Sequence, residues 1–209
     1  MGKRVVIAPV GDDLDSLYIG LKEHPADKVV LITPKEYYSK ANKTKQELER
    51  FKIDVQLHDA NSDIWAETFH FISKITKEFP EDELTINVST GTTEGRCAAT
   101  CAAFVHGVKA ITITGDKARI LPVLKFSYFK LLADKKMEIL KLLTENHNSL
   151  EALSNKTGMS LPLISYHING NIKSTGLKGL GLVDTKEKRG RIDVRLSPLG
   201  ELLVKSFLQ

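Results

Sequence analysis

Four hydroxyls and one glycine, Ser89-Thr90-Gly91-Thr92-Thr93, stand between a β-branched run and an alanine-rich helical run in 84-LTINVSTGTTEGRCAATCAAFVHG-107. Hydroxyls donate and accept, glycine admits close backbone approach, and the N–H groups at a helix start attract anions. Arg96, in the first turn of that helix, adds a cationic fork on the side of Thr92 and Thr93. This combination predicts a cradle for a polar or anionic ligand. The plainer alternative is a capped turn, with Glu94 matching the helix dipole and Arg96 merely exposed. A second loop, Pro9-Val10-Gly11-Asp12-Asp13, closes the first apolar run and brings Gly11 and Asp12 into the candidate set.

Catalytic patterns are missing around these loops. Ser89 is not in G-x-S-x-G, because Asn87 holds the place of the first glycine. No G-x-G-x-x-G follows the first strand, no G-x-x-x-x-G-K-[ST] occurs, and 176-GLKGLG-181 precedes a strand and reads as a turn. Asp12, Asp13 and Asp15 have metal-ligand chemistry, but an acidic helix start is better read as a dipole-matched cap. No catalytic residue, metal site or cofactor is assigned.

The second set of chemistry-bearing residues is basic. Lys186, Lys188, Arg189, Arg191 and Arg195 crowd a strand–turn–strand at 181–196. Before it, 149–158 reads as a short helix with a serine cap and a glycine stop, and Ser160 opens another helix expected to run to about Ser174. Two short helices joined by Thr157-Gly158-Met159-Ser160 and followed by a basic hairpin form the pattern of a winged helix-turn-helix. Leu161, Ile164, Ile168 and Ile172 are expected to pack inward. Ser160, Ser165, Tyr166, Asn169 and Lys173 then face outward to meet base edges and phosphates of double-stranded DNA, which the wing also grips. His167 is read as structural rather than as a phosphate contact. Protein contact by this unit is the alternative.

The elements that position both sets follow from periodicity. Short β-branched runs at Arg4–Pro9, Lys28–Thr33, Ile53–His58, Leu84–Val88 and Lys109–Thr114 alternate with helical stretches at about 13–23, 35–51, 62–79 and 93–106. Strands alternating with helices predict βαβ units, hence an α/β, Rossmann-like parallel sheet whose ligand loops sit at the carboxyl ends of its strands. Gly115 to Arg119 reads as a turn and Ile120–Leu124 as a short edge strand. The expected division is a sensing domain at 1–125, a linker at 126–133 and the winged helix-turn-helix at 134–209. Ser197-Pro198 caps the last helix.

Composition agrees with this division. The net charge of +4 comes from the C-terminal part, because residues 1–133 carry 18 basic and 18 acidic side chains whereas 134–209 carry 12 and 8. No apolar run reaches the roughly 18 residues of a membrane span, and the N-terminus lacks a signal-peptide core, so a cytoplasmic chain with no membrane partner is expected. Cys97 and Cys101, four apart among alanines, are expected to be buried small hydrophobes.

At this point 5-VVIAPVGDD-13, 28-KVVLITP-34 and 86-INVSTGTTEGRCAA-99 carry a resemblance covering nearly the whole chain. The chain resembles the CRISPR-associated Rossmann fold (CARF) domain joined to a winged helix, as in archaeal CRISPR-associated and CARF-like transcription regulators. The resemblance implies a homodimer whose loop pairs face each other and bind a nucleotide second messenger, a cyclic oligoadenylate, with cyclic tetraadenylate as candidate effector. It carries ligand contact onto Gly11, Asp12, Ser89, Thr90, Gly91, Thr92 and Arg96. It implies a non-enzymatic regulator, with slow cleavage of the cyclic oligonucleotide by the N-terminal domain as the enzymatic alternative.

Overall fold

A computed structural model describes residues 3–61, 63–79, 83–124, 132, 134–146, 148–172, 174–188 and 191–208; for 188, 191 and 206–208 it describes the backbone alone. The chain divides into two compact units, Met1–Phe129 and Lys130–Gln209. The expected linker at 126–133 lies, apart from Leu132, outside the described residues.

The first unit is a six-stranded sheet of β1 (Val5–Pro9), β2 (Lys28–Thr33), β3 (Asp54–Asp59), β4 (Leu84–Asn87), β5 (Lys109–Thr114) and β6 (Lys117–Ile120). The spatial order is β3-β2-β1-β4-β5-β6. The first five strands run parallel and β6 pairs antiparallel with β5. Helices α1 (Asp15–Glu23), α2 (Tyr38–Arg50), α3 (Ile64–Glu78) and α4 (Thr93–His106) make this a Rossmann-like α/β fold. Strands buried on both faces read as continuous apolar runs, and β1 is buried at all five positions. Val6, Ala8, Val29, Leu31 and Val55 share one core with Leu17 of α1 and Ala41 and Leu48 of α2. On the opposite side of the pleat, a Cβ placed on Gly95 of α4 would meet Pro9 of β1 at 3.4 Å and Ile64 of α3 at 3.9 Å.

Two expectations fail here. The edge strand is Lys117–Ile120 rather than 120–124, because Gly115, at φ +62°, and Asp116 alone close a two-residue hairpin that pairs Thr114 with Lys117. Cys97 and Cys101 are exposed. The buried stripe of α4 runs through Gly95, Ala98, Ala99, Ala102, Ala103 and His106, an i, i+3, i+4, i+7 pattern that turns both thiols toward solvent.

The second unit contains α5 (Asp134–Thr144), α6 (Leu150–Thr157), α7 (Leu161–Asn169), β7 (Gly170–Asn171), β8 (Ser174–Thr175), β9 (Val183–Lys188), β10 (Arg191–Leu196) and α8 (Pro198–Leu208). Ser149 Oγ caps α6 by accepting from the Ala152 amide at 3.0 Å, and Gly158, at φ +68°, stops that helix in the left-handed region. Ser197 Oγ caps α8 through the Gly200 amide at 3.0 Å. The β9–β10 hairpin is tied to the segment before α6: the Val194 amide donates to the Asn148 carbonyl at 2.7 Å, and Ser149 bridges Asp193. Ile139, Leu140, Leu153, Ile164, Ile168, Leu177 and Val194 form the buried interior.

The helix opened by Ser160 ends at Asn169, not Ser174, and Leu161 and Ile172 do not pack inward. Leu161 occupies the first helical position and is exposed, while Ile172 falls beyond the helix end and is wholly exposed. Leu177 instead takes an interior place.

Candidate ligand site at the sheet switch point

The chain moves outward from β1 to β2 and β3, then returns to place β4 on the other side of β1. Loops leaving the carboxyl ends of β1 and β4 therefore lie side by side at the topological switch point, where open α/β sheets bind ligands. Here they are the two loops carrying Gly11 and Ser89–Thr92.

They are pressed together. A Cβ on Gly11 would lie 2.3 Å from the Gly91 carbonyl carbon and from the Thr92 nitrogen, so only glycine fits. Gly91 adopts φ +92°, and a Cβ there would meet Pro9 at 2.8 Å. The Gly91 amide points to the Asp13 carbonyl at 3.4 Å. Asp13 itself caps α1: its carboxylate accepts from the Asp15 amide at 2.9 Å and from the Ser16 hydroxyl at 3.0 Å. Asp13 thus serves the helix start, and Asp15 lies in the first turn.

The hydroxyls divide into two groups. Ser89 Oγ lies 3.0 Å from Thr112 Oγ1 and accepts from the Ile113 amide at 2.5 Å, locking the loop to β5. Thr90 is fully buried, with Oγ1 facing the Asn87 carbonyl at 3.5 Å. Thr92 Oγ1 caps α4 by accepting from the Gly95 amide at 3.1 Å and remains half-buried. Thr93 and Arg96 are exposed, and Arg96 Nη2 reaches the Thr93 hydroxyl at 3.4 Å. Asp12 is exposed too, and its carbonyl accepts from the Lys40 ammonium. Asp12, Thr92, Thr93 and Arg96 are the candidate side chains that face solvent, whereas Gly11, Ser89, Thr90 and Gly91 shape the loops behind them.

Several supporting residues escape a sequence reading. Buried Asn87 at the end of β4 accepts from the Ser89 amide at 3.0 Å and donates to the Ser16 carbonyl at 3.0 Å, joining the loop after β4 to α1. An amide side chain two residues before a hydroxyl run was the available signal. Beside the loops, an open depression of about 630 Å³ is lined by Pro34 and Glu36 after β2, Asn61 and Asp63 after β3, and Thr92 and Thr93 of the cradle. At its rim Trp65 Nε1 donates to Glu94 at 3.1 Å, so this carboxylate is engaged by α3. Partial desolvation and the adjacent Asp12 carboxylate push the Tyr37 phenol above its ordinary range. Among the described residues no group of three or more His, Cys, Asp or Glu is placed to hold a metal, and no helix is long and apolar enough to cross a membrane.

The candidate DNA-facing residues belong to the second unit. Ser160 is exposed at the start of α7 with its hydroxyl making no cap bond. Asn169 is exposed and donates to half-buried Ser165 at 3.1 Å, one turn apart, and Tyr166 is 36% exposed on the same helix. His167 is buried, and burial followed by the charges of Lys136 and Lys135 lowers its pKa, which suits a neutral structural imidazole. Lys186 and Arg195 are exposed, and Arg195 pairs with Asp193 at 3.1 Å, which offsets its charge. The register places Lys188 opposite Arg191, whose side chains are outside the description. Lys173 and Arg189 lie outside the described residues altogether.

No curated protein matches this chain. Among solved structures it is similar to Can2 from Sulfobacillus thermosulfidooxidans in complex with cyclic tetra-adenylate, at 14% identity and TM-score 0.48, covering 98% of this chain and 62% of that one. It is similar to protein VC1899 from Vibrio cholerae at 10% identity and TM-score 0.50, with 98% and 64% covered. A type III CRISPR defence DNA nuclease activated by cyclic oligoadenylate gives 16% identity and TM-score 0.49, with 86% and 32% covered. The chain thus spans less than two thirds of each of these proteins, and the likeness to VC1899 is one of fold. The family profile described as HFX_2341_N:-like, N-terminal, covers residues 4–117, more than half of the chain, and the chain belongs to that family.

Proposed function

We propose that this chain is a ligand-responsive, DNA-binding transcription regulator. Its first unit is a CARF-like sensor of a cyclic oligoadenylate or similar nucleotide, and its second is a winged helix-turn-helix. The observation that carries the reading is the loop pair at the switch point, held in contact by Gly11 and Gly91 with Thr93 and Arg96 exposed at its lip. A nucleotide phosphate suits the Arg96 fork and the start of α4, while ligand hydroxyls suit Thr92, Thr93 and Asp12. Ser89 and Thr90 act as supports rather than contacts. The sensor works as a homodimer with two loop pairs facing one another, as the resemblance implies. The second unit reads duplex DNA with α7 and grips phosphate with β9–β10.

Calorimetric titration of cyclic tetraadenylate into the full chain, with and without duplex DNA, tests this. Binding should weaken at least tenfold in Arg96→Ala and by a smaller factor in Thr93→Val, with unaltered circular dichroism. A factor by which the ligand changes DNA affinity must reappear as the factor by which DNA changes ligand affinity. Absence of heat with the wild-type chain, with and without DNA, removes cyclic tetraadenylate as the effector. Chromatography of the same mixtures distinguishes the enzymatic alternative, which requires a linear product.

A further inference from the structure

The recognition-helix candidate α7 does not simply end; a hairpin is spliced into it. The Gly170 amide donates to the Tyr166 carbonyl as in any helix. The next two carbonyls skip ahead: His167 accepts from the Leu177 amide and Ile168 from the Lys178 amide, both at 2.9 Å. An unbroken helix would use the amides of Asn171 and Ile172. Six residues, 171–176, are therefore interposed, and the hydrogen-bond ladder resumes on the far side. Two glycines allow entry and exit at one point. A Cβ on Gly170 would lie 2.3 Å from the Gly176 nitrogen, and a Cβ on Gly176 would lie 2.3 Å from the Gly170 nitrogen. Gly170 also holds φ +77°. The returning strand is anchored from below, where buried Lys136 donates to the Thr175 carbonyl at 2.7 Å.

What this splice presents is unusual for a soluble surface. Ile172 is fully exposed at the tip, flanked by Asn171 and by Ser174, whose amide donates to Asn171 Oδ1 at 2.9 Å. No Asp or Glu occurs between Glu151 and Asp184, a span that holds Lys156, Lys173 and Lys178. A span free of carboxylates, whose described lysines Lys156 and Lys178 are exposed, is complementary to a polyanion, and an apolar tip between polar flanks suits a thymine methyl or a partly unstacked base step.

We infer that strands β7 and β8, at the end of α7, form a separate DNA-contacting element with Ile172 as its apolar probe. The inference rests on the DNA-binding reading of the second unit and assigns it a contact beyond α7 and the wing. Because Ile172 touches no core, its replacement leaves the fold intact. Removal of 171–176 joins Gly170 to Leu177 in the register the helix already keeps.

The test measures retention, by fluorescence anisotropy, of a labelled random-sequence duplex of about 40 base pairs, long enough for two half-sites one helical turn apart. The full chain is compared with Ile172→Ala, Ile172→Asp and the 171–176 deletion, each with its thermal melt. Ile172→Ala should weaken binding about tenfold, the size of one lost base contact, and Ile172→Asp more, with melting temperatures unchanged. The deletion should weaken binding at least as much as Ile172→Ala. Equal affinities for all four proteins overturn the inference while leaving the DNA reading standing. A wild-type chain that does not bind the duplex overturns both.

Discussion

Gly11→Ala is the sharpest perturbation of the switch point. The added methyl would sit 2.3 Å from two backbone atoms of the opposing loop, Gly91 C and Thr92 N, where ordinary contacts begin near 3.4 Å. The loops must therefore open by about 1 Å, and neither atom belongs to a side chain that can swing away. Moving Thr92 disturbs the cap of α4, whose loss alone costs about 1 kcal/mol. Adding an overpacking cost of about 1–3 kcal/mol gives a total near 2–4 kcal/mol for the first unit. Trp65 is the single tryptophan and lies in the first unit, so its fluorescence during urea unfolding reports on that unit alone. With a urea slope of about 2 kcal/mol/M the midpoint should fall by about 1–2 M. Gly115→Ala is the control: φ is +62° but nothing lies within 4 Å of the added methyl, so only the left-handed strain of about 1–2 kcal/mol applies. A Gly11→Ala midpoint no lower than that of Gly115→Ala would refute the claim that the two loops are pressed together.

Burial and then Lys77 lower the His106 pKa to about 4, below its ordinary 6.5, so the unfolded chain binds the proton more readily. Stability of the first unit is then complete above about pH 6.5 and declines by about 3 kcal/mol as pH falls toward 4; His106→Gln should flatten that slope in Trp65-monitored melts. The Arg4 partnership that lowers the Asp27 carboxyl to about 2 is lost only at more acidic pH, so the two effects separate. Lys188→Ala with Arg189→Ala should weaken DNA binding across sequences and reduce the log–log salt slope by about 0.9 per lost phosphate contact, and an unchanged slope would count against the wing. Replacing Ser165 and Asn169 by Ala should erode discrimination between selected and random duplexes by on the order of 1–3 kcal/mol per contact, read by competition binding.

The central parallel strands β1, β2 and β4 were legible because each is a short apolar run buried on both faces, and β2 and β5 span the very residues their patterns delimit. Capping was equally readable at Ser149, Gly158 and Ser197. What a linear reading could not show is which hydroxyl is already engaged. Ser89 and Thr90 look like Thr93 in sequence, and only the return of β5 beside β4 supplies Thr112 and Ile113 as partners. Cys97 and Cys101 were misjudged by treating every small residue of α4 as interior, although the helical period selects one stripe. The splice at 170–176 left a signal in Asn169-Gly170, a turn dipeptide inside an apolar helical pattern. The pattern of Ile164, Ile168 and Ile172 outweighed it.

The antiparallel β6 has a bearing on how a signal can travel. Because β6 turns back beside β5, the chain leaves the sheet near Ala110, whose carbonyl accepts from the Leu121 amide at 2.9 Å, close to where β5 begins. The switch-point loops emerge from the opposite rim, about 20 Å away along a strand of six residues. Under the proposed function, an occupied cradle cannot simply tug on the chain that leads onward. The sheet between them is a stiff plate, so what arrives at the exit must be a tilt of the plate, a change in how it meets a second copy, or a redistribution of its fluctuations.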